Sequence, residues 1–330
     1  LTITGPGASS LIISGNNGNT SRNFSIFNIA SAGNLSISGV TVSGAKTTDT
    51  FGKGGAIINS GTLNISNSVI TGNSVTGSSS YGAGIQNDSS AVLTISNTTI
   101  SGNSSANHAA GINNDGTITI TNSTISGNTA ANAGGGFVNN GTLSIFNSTI
   151  FGNTATLGSG GGIFNNTALN ITNTTIASNF AVSGGGIHVN GGTINISNTI
   201  LANSTGGGDF SGNQPGTSTN NLITIGTLTG ATTVTSAQLN LGTLQNNGGP
   251  TFTMALGAGS AAIGAGNATI SNAPPIKGKD QRGVTRSSTA PSIGAFEYNG
   301  TMPSAPTVTL NTTNNLVINA TTLTIAGTGF

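Results

Sequence analysis

The chain has 330 residues, a net charge of +1 at pH 7 and no cysteine, and only 4% of its residues are charged, against about 25% in a typical globular domain. That balance gives no electrostatic footprint for nucleic acid or an anionic membrane, and it excludes disulfides and thiolate metal sites. No run of about 18 apolar residues is present to insert into a membrane as a helix.

In chain order, Leu1-Thr2-Ile3-Thr4 reads as a strand, followed closely by Leu11-Ile12-Ile13 and Phe24-Ser25-Ile26-Phe27. These opening residues do not read as a signal peptide, and the chain is expected to begin inside a longer protein. A first coil that presents backbone and apolar side chains to solvent is expected to favour self-association through its edge.

A repeat then sets in. Thr62-Leu63-Asn64-Ile65-Ser66-Asn67 returns as Val92 to Asn97, Thr117 to Asn122, Thr142 to Asn147, Ala168 to Asn173 and Thr193 to Asn198. The central isoleucines Ile65, Ile95, Ile120, Ile145, Ile171 and Ile196 are mostly 25 residues apart, with one interval of 26 and a first interval of 30 that holds an inserted loop, Ser78 to Tyr81. Each repeat has a Gly-rich entry with a short strand such as Gly136-Phe137-Val138-Asn139. A Leu-x-Ile strand ending in Asn follows, then a Thr-Ile-x-Gly-Asn strand such as Thr124 to Asn128. Apolar and polar residues alternate within each strand, so one face is buried. The unit is too short for a propeller blade, which needs about 40 residues, and lacks leucine-rich-repeat spacing. It predicts an all-β fold: a right-handed, three-sheet parallel β-helix (solenoid) over residues 1–238. Leu63, Leu93, Ile118, Leu143, Leu169 and Ile194 are expected to form one interior column.

Asparagines recur at two corners. Asn67, Asn97, Asn122, Asn147, Asn173 and Asn198 hold the first, and Asn73, Asn103, Asn128, Asn153 and Asn179 hold the second. Asn tolerates the left-handed backbone that a sharp corner needs, and stacked amides bond from coil to coil. The first column is therefore expected to be a structural ladder. An inward ladder Asn is closed to glycosylation, although several match the Asn-x-Ser/Thr sequence.

The repeat fades after Asn203. Residues 239–298 carry four motifs in order: Leu244-Gln245-Asn246-Asn247-Gly248-Gly249-Pro250-Thr251, Gly259-Ser260-Ala261-Ala262-Ile263-Gly264-Ala265-Gly266, Asp280-Gln281-Arg282-Gly283 and Ile293-Gly294-Ala295-Phe296-Glu297. This order resembles the "choice-of-anchor" group of bacterial surface β-helix proteins. The coils upstream are similar to pectate-lyase-like and chlamydial polymorphic outer-membrane repeats. The chain departs from the group at Gly264 and Ser292, where Asp is usual. The resemblance implies a secreted, cell-surface bacterial protein whose residues 239–298 precede an anchor or sorting domain. Physically, that segment is expected to cap the open end of the helix, pinned by Asp280, Arg282, Arg286 and Glu297. Residues 299–306 read as a linker, and 307–330 as the opening strands of a truncated β-sandwich, similar to Ig or IPT domains.

Enzymes of the resembling families place acids with a basic residue, or paired aspartates, on one sheet face. Here the acids are Asp49, Asp88, Asp115, Asp209, Asp280 and Glu297. Asp88 and Asp115 follow Ile85 and Ile112 by three residues each, so they are expected to stack on adjacent coils about 5 Å apart. That spacing suits retaining-glycosidase carboxylates or a shared Ca²⁺. Asn140 and Asn166 hold the same place in later coils, however, which favours turn residues. No Lys or Arg is expected in the same coils. His108 falls in an Ala/Asn loop and is expected to be solvated; His188 lies outward on a strand. The outward positions of the first strand are Ile58, Gln86, Asn113, Val138, Phe164 and His188, with Val138 and Phe164 forming a small apolar spot. No nucleophile elbow or phosphate loop is present. The expected function is a non-catalytic extracellular structural or adhesive module, a stiff rod without cofactor. Its expected partners are glycans or other cell-surface proteins. The alternative is a polysaccharide lyase/hydrolase-related or carbohydrate-binding β-helix.

Overall fold

The computed structural model describes residues 1–15, 24–48 and 53–299. Asp49, the linker beyond Asn299 and the sandwich strands expected at 307–330 lie outside the described residues.

One coil illustrates the rest. Ile57–Asn59 forms the first strand, Thr62–Ser66 the second, Val69–Thr71 the third and Ser74–Val75 the fourth. Equivalent strands of successive coils pair in parallel and stack into sheets of eight, nine, ten and seven strands respectively. The fold is thus a parallel β-solenoid, as the period predicts. A fourth sheet joins the three expected. Its strands are mostly two residues long, too short to show alternation in the sequence. Among the described residues, no helix is long and apolar enough to cross a membrane.

The register is unbroken through the long second sheet: Leu63 pairs with Leu93, then Ile118, Leu143, Leu169 and Ile194. All six side chains are fully buried in one continuous core. Each contributes on the order of 1.5–3 kcal/mol of hydrophobic stabilisation. The Gly entry has a steric cause. A Cβ on Gly111 would lie 2.4 Å from the carbonyl oxygen of Gly136 in the next coil, so only glycine lets the coils stack there.

The asparagine columns divide their work differently from the expectation. Asn67, Asn97, Asn122, Asn147, Asn173 and Asn198 all have left-handed backbones, with φ between 45° and 51°. They turn the corner, but none of the ladder bonds joins their amides. The ladders run through two other columns. In one, Asn73, Asn103, Asn128, Asn153 and Asn179 each pass an Nδ2–H to the next Oδ1 at 2.9–3.0 Å. In the other, Asn59, Asn87, Asn114, Asn139 and Asn165 do so at 2.7–2.9 Å. All ten are buried. The reason is direction: in a left-handed turn the first column's side chains leave the core, so they are free to meet something else.

What they meet is the C-terminal segment, and this corrects the expected end cap. Residues 236–299 fold back along the flank of the third sheet instead of closing the end. Asn147 donates to the carbonyl of Lys279, Asn173 to Ser271 Oγ and Asn198 to the carbonyl of Asn267. Gln281 bonds both Thr124 and Thr149, and the Thr175 hydroxyl accepts from the Ala295 N–H. The cause lies in the third sheet, whose later outward residues turn apolar. Phe151, Ala177, Ile200, Ala202 and Leu222 pack with Leu239, Met254, Leu256 and Ile293 in a second core. Asp280, Arg282, Arg286 and Glu297 do pin this segment. Arg282 meets Asp280 at 2.8 Å and lies over the Phe296 ring, and Arg286 lies 3.5 Å from Glu297. At the last coil the core is closed by Leu228, and buried Asp209 accepts from the N–H groups of Ser204, Thr224 and Ile225. Its carboxylate thereby gives the terminal turn the acceptors that another coil would supply.

Candidate functional site

The outer face of the first sheet carries most of the unusual side chains. Ile58, Gln86, Asn113, Val138, Phe164 and His188 align across neighbouring strands as the spacing predicts. The face is not open, though. Gln86, Asn113 and Val138 are buried, because two rows of side chains flank the sheet.

On one flank lies a ledge with one residue per coil. Lys53, Tyr81, His108, Ala133 and Ser159 pair in parallel register just before the glycine-rich entries. Tyr81 and His108 stack with ring centroids 5.5 Å apart and planes at 15°. His108 is therefore half-buried against an aromatic ring, not solvated. Ala133 joins Ala109, Val138 and Phe164 in a small apolar cluster, which absorbs the apolar spot expected at Val138 and Phe164.

On the other flank runs the turn row Ser60, Asp88, Asp115, Asn140, Asn166 and Asn190. Its hydrogen bonds converge on the two acids. Asn190 donates to Asn166, Asn166 to Asn140, and Asn140 to Asp115 Oδ1 at 2.8 Å. From the opposite direction Ser60 donates to Asp88 Oδ2 at 2.7 Å. Between the carboxylates sits the Gln86 amide, whose Nε2 donates to Asp88 Oδ1 at 3.1 Å and to Asp115 Oδ2 at 2.9 Å. Asn113 adds a further bond to Asp115 Oδ2 at 2.9 Å.

The two aspartates do lie on adjacent coils, but Gln86 Nε2 holds the place that a shared Ca²⁺ would need. Neutral amides and a hydroxyl already occupy the carboxylates, which suits turn anchors better than a free general base. No group of three or more His, Asp or Glu side chains able to hold a metal occurs among the described residues. One expectation is overturned: a basic residue is at hand. Lys53 lines a cavity of about 490 Å³ with Ser31, Ser60, Asp88, Ser89 and Asp115, and a neighbouring one of about 280 Å³ with Tyr81, Gln86, Asn113, Asp115 and Asn140. Sequence spacing missed Lys53 and Tyr81 because the ledge follows loops of varying length. The signal was the residue before each glycine entry, Lys53-Gly54 and Tyr81-Gly82.

Farther along the same face, His188 stacks on Phe164 at 5.3 Å. Its Nδ1 lies 2.8 Å from Ser211 Oγ and 3.3 Å from Ser183 Oγ. No acid among the described residues completes a triad with it.

Burial holds the imidazoles of His108 and His188 below the ordinary 6.5. As the pH falls, the unfolded chain takes up these protons before the folded one. Stability is then full above the unfolded value and is lost as pH falls through about 6.5. Melting curves are expected to shift to lower temperature between about pH 7.5 and about pH 5.5. A His108→Asn/His188→Asn double variant should show a flatter profile; an equally steep one would assign the dependence to other groups.

Compared with known proteins, the chain matches no family model, no curated protein and no solved structure.

Proposed function

We propose that the chain is a non-catalytic extracellular module of a bacterial surface protein, a stiff β-helical rod that presents or adheres. The observation that carries this reading is the unbroken stack of coils, with one core and two buried amide ladders along its length. Such a solenoid resists bending because each coil is bonded to its neighbours at every strand. Asp88 and Asp115 accept from neutral amides and a hydroxyl, as turn anchors do, which supports the non-catalytic reading. The four C-terminal motifs, which resemble the choice-of-anchor group, support placement at the cell surface. Self-association belongs to the same reading, with Ile12, strongly exposed on the outward face of the third sheet, as its contact.

Sedimentation velocity with a reducing-sugar assay tests the proposal. An elongated particle is expected, whose association at rising concentration weakens in Ile12→Lys, together with no product from pectin, alginate or xylan with or without Ca²⁺. Turnover that vanishes in Asp115→Asn would overturn the non-catalytic reading. A compact or strictly monomeric particle would overturn the rod or its self-association.

A further inference from the structure

The outward column at the end of the second-sheet strands carries one anomaly. Ser66, Ser96, Thr121, Phe146, Thr172 and Ser197 lie side by side on successive coils, a single aromatic ring in a row of hydroxyls. Phe146 is half-buried and joins none of the apolar clusters that hold the molecule together. One exposed apolar side chain is ordinary on a flat surface. This one forms a wall of a concavity.

That cavity, of about 310 Å³, lies between the first asparagine corner and the C-terminal segment, with Thr121, Asn122, Ile276, Lys277 and Lys279 among its other walls. Asn147, Asn173 and Asn198 of the corner column all donate to the segment. Asn122, the next in the column, is half-exposed, and its amide has no partner among the described residues; the same holds for the Thr121 hydroxyl. Lys277 and Lys279 are exposed. The ion pairs among the described residues are Arg282 with Asp280 and Arg286 with Glu297, so neither lysine has a carboxylate partner. Lys279 Nζ meets Thr285 Oγ1 at 2.8 Å. Asp280 and Glu297 are sealed at 0% and 4% exposure, and Asp115 precedes the far end of the strand Thr117–Thr121. The charged lining is two ammoniums and no carboxylate.

We propose that this cavity binds an acidic sugar residue of a glycan, a ring bearing a carboxylate or sulfate, an inference that rests on the non-catalytic, adhesive reading above. The anion sits between Lys277 and Lys279, whose ammoniums act as point charges on flexible stems. The apolar C–H face of the ring packs on Phe146. Ring hydroxyls bond the Asn122 amide and the Thr121 hydroxyl, the partners these groups lack. Charge sets the selectivity, because a neutral sugar keeps the ring contact and loses both ammoniums. The C-terminal segment, not the coils, supplies Ile276 and both lysines. The site also lies at the opposite end of the second-sheet strands from Asp88 and Asp115, so a polymer held there is kept away from the acids, bound and uncut.

Isothermal titration of the whole chain with oligogalacturonate and with carrageenan oligosaccharides, beside gluco-oligosaccharides, tests this, and the first two arms separate carboxylate from sulfate. At least one acidic series is expected to bind saturably, about tenfold or more tighter than the neutral one, and to weaken as salt rises. Lys277→Ala and Phe146→Thr should each weaken it about tenfold or more. The first is exposed and the second takes the residue of the neighbouring coils, so both keep the fold. Lys46→Ala, the same charge change on the fourth sheet, should leave the affinity unchanged. The proposal is overturned if neither acidic series binds, if the neutral series binds as tightly, if affinity survives either substitution, or if Lys46→Ala costs as much as Lys277→Ala. Those results would leave the rod reading standing. Release of reducing ends from a polymer would overturn the non-catalytic reading, whereas binding that is lost in Lys277→Ala would still support the site.

Discussion

An Arg286→Met variant is expected to release the C-terminal segment from the solenoid, with a loss of about 3–5 kcal/mol in that segment. Arg286 is fully buried, and burial pulls its pKa down while Asp280 and Glu297 oppose that shift. Its guanidinium donates to the carbonyls of Lys279, Ser292 and Gly294 and to Asn147 Oδ1. Methionine fills similar volume but takes the guanidinium from the carbonyls of Ser292 and Gly294, leaves Lys279 only the Asn147 amide, and leaves Glu297 without its cation. Glu297 would still accept from the Ser287 and Ser292 N–H groups, so the loss is large but not that of a bare charge. Arg286→Lys should fall between, since an ammonium cannot span partners that the planar fork reaches together. Hydrogen exchange separates the parts. Protection is expected to drop across 239–298 and along the outward positions Thr149 and Thr175, while the inner ladders keep theirs. Uniform loss over the whole chain would show that segment and solenoid unfold as one unit.

The same segment marks where sequence reasoning stops short. The period of 25, the strands and the interior column were legible because burial imposes alternation on every coil, and a repeat shows the pattern many times over. The corner asparagines were legible too. Their exclusion from the ladder was not, because Asn is chosen both for a left-handed turn and for its amide, and the letter does not say which. The flank position of residues 239–298 had a signal that passed unread. Thr-Ile-Ser at 124–126 becomes Thr-Ile-Phe at 149–151 and Thr-Ile-Ala at 175–177, and an outward apolar residue on a strand calls for a cover. At the site, register placed Gln86, Asp88, Asn113 and Asp115 correctly, since strand spacing is constant. Lys53, Tyr81 and His108 come from turns whose lengths differ between coils, so no spacing rule brings them together. Ser292, where the resembling group carries Asp, is buried, with its Oγ accepting from the Tyr298 N–H. The segment therefore holds its fold there without the acid.

Asn128→Ala should cost far more than any exchange at the adjacent corner residue Asn122. Asn128 Nδ2 donates to the Ile100 carbonyl at 3.0 Å and to Asn153 Oδ1 at 2.9 Å. Its Oδ1 accepts from Asn103 N–H at 3.1 Å and Asn103 Nδ2 at 2.9 Å. Alanine removes all four bonds in a buried site: Asn103 N–H loses its acceptor, while Asn153 Oδ1 keeps only the backbone N–H of residue 128 and Asn103 Nδ2 only the Ile70 carbonyl. At about 1 kcal/mol or more for each lost bond, the expected destabilisation is about 3–6 kcal/mol. At Asn122 the backbone, not the amide, carries the constraint, with φ at 51°. Asn122→Gly should be neutral within a few tenths of a kcal/mol, and Asn122→Val should cost about 1–2 kcal/mol for forcing a β-branched residue left-handed. Asn147→Val should cost more than Asn122→Val, because Asn147 also holds Lys279 and Arg286 of the C-terminal segment. Urea unfolding followed by circular dichroism ranks the four variants, and loss of a single transition in Asn128→Ala would place the break at mid-solenoid. Equal losses at Asn128 and Asn122 would mean that the inner ladder contributes no more than a turn, and the division of labour between the two columns would fail.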